Sequence, residues 1–154
     1  MKDIFIDNNI AKNFVNPIDN NYKELIKWLI LFNENKDNDA HLVVNQLLLT
    51  EYHRSAYNCA KPNAIPQIIN KLTREGRLVK ISNFEINEFK RLKFKPKVLK
   101  RLTCNDEDQD HIPTILLSKR KIALTIDDNL FNDLINFPGY IVTVSKRPEE
   151  IDYK

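Results

Sequence analysis

Glycine is nearly absent from this 154-residue sequence, which has two, Gly76 and Gly139. A Walker A loop and the dinucleotide GxGxxG fingerprint both need several residues without a side chain where backbone meets phosphate, so both are excluded. Cysteine is equally scarce at two, Cys59 and Cys104. A disulfide scaffold is thereby ruled out, no CxxC or His-Cys cluster has the spacing of a zinc site, and both cysteines read as small buried or surface thiols. Long apolar runs are missing too. The best candidate, residues 25–32, contains Lys27 and falls far short of the roughly 20 residues of a membrane span. The opening MKDIFIDNN places Asp3 and Asp7 within an apolar stretch too short for a signal-peptide core, so a soluble, cytoplasmic protein with no membrane attachment is expected. Charge of one sign is also lacking. Lys and Arg number 24 against 21 Asp and Glu, a net +3, so any attraction to a polyanion must come from where the charges sit.

What is present is enough apolar side chain for a core: 42% of residues are hydrophobic and 29% charged, near the average for globular proteins. At roughly 100 to 200 residues per domain, residues 1–154 are expected to form one domain. Ile4, Phe5 and Ile6 form a short apolar run that stops at Asp7-Asn8-Asn9, as a buried strand does at a sheet edge. Tyr22, Leu25, Ile26, Leu29 and Ile30 then recur at helical spacing. Leu42-Val43-Val44 reads as a second strand, and residues 46–57 as a helix carrying Glu51. Ile65, Ile68, Ile69 and Leu72 form a further helical stripe up to Gly76, a residue suited to the left-handed position after a helix. Residues 78–81 read as the third strand. Residues 84–101 are mixed, with Pro96 breaking any helix there. The acidic segment 106–110 precedes Ile112, Ile115 and Leu116, a helix start, and KIALTIDD gives a fourth strand ending near Asp127. YIVTV from Tyr140 gives a fifth. Strands separated by helices imply parallel crossovers, hence a three-layer α/β fold with a central, mostly parallel five-stranded sheet.

In an open α/β sheet the ligand crevice lies beyond the carboxyl ends of the strands. Asp7 and Asp127 sit at two such ends, Glu51 in the helix after the second strand, and Asp110 at the helix before the fourth. Each close pair of carboxylates costs about 4 kcal/mol of repulsion at an effective dielectric of 20, so their convergence needs a cation. All-oxygen ligands favour Mg²⁺ or Mn²⁺, ions that commonly activate water for phosphodiester cleavage.

This set resembles the PIN-domain ribonucleases. IFIDNN is similar to that family's strand ending in Asp-x-Asn/Ser, with Asp7 as metal ligand and Asn9 as its hydrogen-bonding neighbour. VVNQLLLTEYHRS places Glu51 where the family has a helical Glu, and DHIPTILLS places Asp110 at the start of an apolar helix. ALTIDDNL looks like the family's Thr-x-Asp, with Thr125 and Asp127. The similarity follows the family's order over residues 4–144. It implies a three-layer PIN-like fold and hydrolysis of RNA phosphodiester bonds with Mg²⁺ or Mn²⁺ on Asp7, Glu51, Asp110 and Asp127. Many small members are toxins held inactive by an antitoxin, so RNA and an antitoxin or other regulatory protein are the implied partners, with a homodimer left open. The alternative is a catalytically inactive PIN-like module that only binds RNA or protein.

Proline position selects among the acids of DEDQD. Proline is tolerated up to the third helical position and costs roughly 3 kcal/mol further in. With Asp108 as N-cap, Pro113 would be fifth; with Asp110 it is third, so Asp110 is the preferred ligand. Thr125 and Asp127 share one face of a strand, which prefers Asp127 to Asp128. His41, His53 and His111 are scattered and supply no Ser-His-Asp or Cys-His arrangement; His53 and His111 are expected at the surface, with contact to phosphate as the alternative. In KRLKFKPKVLKR, residues 90–101, seven of twelve positions are basic with Phe94 among them, which suits a surface that tracks a nucleic-acid backbone. Lys93, Lys95 and Lys97 are its expected RNA contacts. Two rivals lack a needed residue. A phosphatase of the haloacid-dehalogenase type requires a second Asp where this chain has Asn9, and a phosphoreceiver requires an Asp where it has Ser82 and Asn83.

Overall fold

The fold was obtained as a computed structural model, which describes residues 1–15, 17–32, 39–57 and 63–154; Cys59 lies outside them. Five strands, β1 (Lys2–Ile6), β2 (Ala40–Val44), β3 (Leu78–Lys80), β4 (Ile122–Leu124) and β5 (Thr143–Ser145), form one sheet in the order β3-β2-β1-β4-β5. Every pairing is parallel. The architecture is the expected α/β one, with a sheet parallel throughout rather than mostly so. Side-chain chemistry explains who sits where. Ile4, Phe5, Ile6, Leu42, Val43 and Val44 are apolar on both strand faces and fully buried, as central strands covered on both sides must be. The edge strands β3 and β5 remain partly exposed.

Helices α1 (Asn8–Ala11), α2 (Asn20–Leu31), α3 (Gln46–Tyr57) and α4 (Ile65–Arg74) pack among themselves through α1–α3, α2–α4 and α3–α4 contacts. Helices α5 (Asn83–Lys93), α7 (His111–Leu117) and α8 (Asp128–Asn136) form the other layer, with the short α6 (Pro96–Leu99) following α5. Gly76 ends α4 in the left-handed conformation, φ +68°, and the Arg77 N–H returns to the Leu72 carbonyl at 2.7 Å. That turn buries the Arg77 side chain, which donates to the carbonyls of Leu29 and Ala40 at 2.8 Å and of Ile30 at 3.2 Å. A guanidinium thus satisfies the otherwise orphaned carboxyl end of α2.

Residues 84–101 are more ordered than their sequence suggests. Ser82 and Glu85 form a capping box at the start of α5, a Ser-x-x-Glu signature, and Pro96 opens α6 in its first turn, where a missing N–H costs nothing. The fifth strand begins at Thr143 rather than Tyr140, because its partner β4 offers three residues and pairs Ile122 with Thr143. Among the described residues, no helix is long and apolar enough to cross a membrane.

Candidate metal centre

The sheet brings its acids together where the strand order changes direction. Adjacent β1 and β4 connect to opposite sides of the sheet, and the crevice of a doubly wound sheet opens at such a point. Asp7 follows β1 directly, its N–H bonded to the Leu124 carbonyl at 2.9 Å. Its Oδ2 accepts from Thr125 Oγ1 at 2.6 Å and from Asn9 Nδ2 at 3.1 Å. Asn9 is itself fixed, since its Oδ1 accepts the Ile126 N–H at 3.2 Å. From below, the buried Tyr52 hydroxyl donates to the Ile6 carbonyl. Burial raises the Asp7 pKa despite the Thr125 hydrogen bond.

Glu51 comes from α3, whose start is capped by Asn45: Oδ1 accepts the Leu48 N–H at 2.7 Å. His111 comes from α7, with its ring buried and Nε2 3.4 Å from Glu51 Oε2. Asp7, Glu51 and His111 each present a ligand atom within 4.8 Å of the others, so together they can hold a metal ion. Two observations fit a cation-binding role. His111 Nε2 is buried without a hydrogen-bond partner. Asp108, beside this group, has its pKa raised by burial, with Asp127, Asp7 and Glu51 adding to the rise and His111 opposing it. Burial depresses the His111 pKa, but Glu51, Asp7 and Asp108 outweigh it and leave the imidazole above its ordinary value.

A cleft of about 600 Å³ opens over the group, lined by Asp7, Glu51, Asp108 and Asp127 among others. Of the four carboxylates expected from the sequence, Asp7, Glu51 and Asp127 face this cleft. Asp127 also caps α8, its Oδ1 accepting from Asn129 and Leu130. Asp110 is turned away: its carboxylate pairs with Lys90 of α5, and Asp108 takes the cleft-facing place. The helix start is as expected, with α7 beginning at His111 and Pro113 third. The correction lies one turn earlier, where residues Asp108–Asp110 form a 3₁₀ turn. Side chains three apart eclipse in that geometry, so Asp108 shares its face with His111, and Asp110 does not. The i,i+3 pairing of an acid with a histidine was the available signal.

His111 is thus buried at the centre rather than exposed, whereas His53 is exposed and outside the cleft. Asp128 is exposed and pairs with Lys146. Lys93, Lys95 and Lys97 are exposed at the α5–α6 junction and are not part of the cleft lining, while Phe94 packs inward against Phe89 and Phe137. Two cations that the sequence did not single out do line the cleft, Lys12 and Arg54. Arg54 lies one helical turn beyond Glu51. Both are exposed, and neither forms an ion pair among the described residues. Asn8 and Ser55 join the two sides of the cleft through a 2.9 Å hydrogen bond.

The geometry also bears on the rivals. The observed strand order is not the 2-1-3-4-5 of receiver domains, and Asn9 serves to orient Asp7 where a phosphatase would carry its general acid. Comparison of the sequence with protein-family models finds no match, and a search among curated proteins finds no significant relative.

Proposed function

We propose that the chain is a PIN-type endoribonuclease that hydrolyses RNA phosphodiester bonds with Mg²⁺ or Mn²⁺. The observation that carries this reading is a cleft of mixed charge, lined by Asp7, Glu51, Asp108 and Asp127 together with Lys12 and Arg54, which form no ion pair among the described residues. Carboxylates alone would repel a polyanion; cations beside them admit a phosphate while leaving the acids free to bind metal. When bound, a divalent ion supplies an activated water and charge neutralisation at phosphorus. The chain's own residues do the rest. Thr125 and Asn9 hold the Asp7 carboxylate in one orientation, the Asn45 cap anchors the helix that carries Glu51, and Lys12 and Arg54 bind backbone phosphate.

The test is cleavage of mixed single-stranded RNAs, with a DNA control, in Mg²⁺, in Mn²⁺ and in EDTA. Metal-dependent RNA cleavage is expected. Cleavage unchanged in EDTA overturns the mechanism, and RNA binding without cleavage in either metal makes the protein a non-catalytic binding module instead.

A further inference from the structure

Helix α3 turns Glu51 toward the acidic cleft, and another of its faces borders a second depression. A groove of about 540 Å³ runs between α3 and α4, a size within the roughly 300–1,000 Å³ of small-molecule sites, which join an apolar lining to a few polar groups. Leu49, Tyr52 and Ile69 supply apolar lining, and among the described residues no carboxylate lines it. Its polar groups are largely unspent. The Asn70 amide makes no hydrogen bond among the described residues. Gln46 gives its Oε1 to Lys80 Nζ at 2.9 Å and keeps its NH₂ group free. His53 is exposed, with its ring held edge-to-face against Tyr57 at 4.5 Å. An aliphatic occupant would leave these groups without partners. Side-chain amides instead match the donors and acceptors along the edge of a nucleobase, and an imidazole plane is one of the platforms on which unpaired bases stack.

Position supplies the second argument. Thr50 lines the groove and Arg54 the cleft, and residues four apart are neighbours on a helix surface. The two depressions are therefore separated by the ridge of α3, which is about 10–12 Å across with its side chains, a gap that adjacent nucleotides of an extended strand bridge. Arg54 stands on that ridge without an ion pair among the described residues, and Lys80 adds a second cation at the groove's edge. We infer that the α3–α4 groove is a nucleobase subsite: a base flanking the scissile phosphate enters it, stacks on His53 and bonds to the amides of Asn70 and Gln46, while the connecting phosphate passes over Arg54. The inference rests on the RNA reading above and adds the class of substrate, a strand unpaired beside the cut, because a paired base is held in its stack and cannot enter.

The test uses the full chain carrying Asp7→Asn, so that RNA stays intact in Mg²⁺. Two strands of equal length are compared by calorimetry and by NMR of side-chain amides and histidine rings: a single-stranded RNA, and a strand with the same sugar–phosphate backbone but no bases. The RNA is expected to bind about tenfold more tightly and to shift the Asn70 amide and His53 ring signals, which the base-free strand leaves in place. Adding His53→Ala and Asn70→Ala should remove that advantage and spare binding of the base-free strand. Both residues are exposed, and thermal melts identify a variant that has failed to fold, in which case the signals of the parent protein decide. Equal affinity for the two strands overturns the inference, as does an advantage that survives in the folded variant. RNA-induced shifts at Arg54 with none at His53 or Asn70 also overturn it and leave the groove to a protein segment. Cleavage by the wild-type chain in Mg²⁺ is followed separately; its absence overturns the nuclease reading whatever the groove signals do, so the two failures are distinct.

Discussion

Burial of an acid does not by itself mark a site, as three buried aspartates show. Asp3 accepts the N–H groups of Lys119 and Arg120, and Asp133 those of Thr103 and Cys104; both anchor loops. Asp7 instead faces other carboxylates, and its raised pKa has a consequence for stability. A carboxyl whose folded pKa lies above its unfolded value favours folding while protonated, and that contribution is lost as pH rises through the folded pKa. In EDTA, Asp7→Asn should therefore melt like wild type at acid pH and become the more stable protein as pH climbs above 3.8, the ordinary value, while losing cleavage. A melting temperature below wild type across neutral pH would make Asp7 a structural residue. The 3₁₀ turn yields a paired prediction. Asp108→Asn is expected to lower cleavage at least about 100-fold, more than an outer residue costs, and Asp110→Asn to leave it near wild type, losing a half-exposed pair with Lys90. Single-turnover rates for both variants check this, and the reverse order would mean that Asp110 swings to the metal.

Elements set what each side chain can reach. Helix α5 packs on α7, and the Lys90–Asp110 pair ties the basic stretch to the helix bearing His111. Lys93, Lys95 and Lys97 project from the α5–α6 junction with no carboxylate partner among the described residues, a free positive surface beyond the cleft. With Phe94 packed inward against Phe89 and Phe137, this surface offers positive charge and no exposed aromatic face from that residue. Neutralising the three lysines together should reduce the slope of log affinity against log salt by about 2, at about 0.7 per single-strand phosphate, and leave single-turnover cleavage of bound RNA unchanged. An unaltered slope would make this run an ordinary solvated face.

At the scale of the molecule, the fold holds several like charges at one sheet end, and a cation should stabilise the whole. A ligand that binds only the native state at 100 times its Kd adds about 2.7 kcal/mol, so Mg²⁺ should raise the melting temperature of wild type in a concentration-dependent way and that of Asp7→Asn much less. Equal shifts in both proteins would assign the effect to ionic strength. Much of this architecture was legible in the chain: the apolar runs at residues 4–6 and 42–44 had to be buried strands, Gly76 had to end a helix, and Asp7 and Asp127 had to emerge at carboxyl ends of strands, because period and turn chemistry are local properties. Glu51 was legible for the same reason, one helix beyond a strand. The choice of Asp108 over Asp110, the burial of His111 and the cleft positions of Lys12 and Arg54 were not. They depend on the direction in which a 3₁₀ turn points its side chains, on Lys90 arriving from another helix, and on Asn45 reaching His111 across 66 residues of sequence. Local patterning determined the strands and which acids stood at their ends; only packing between distant segments decided which of them meet.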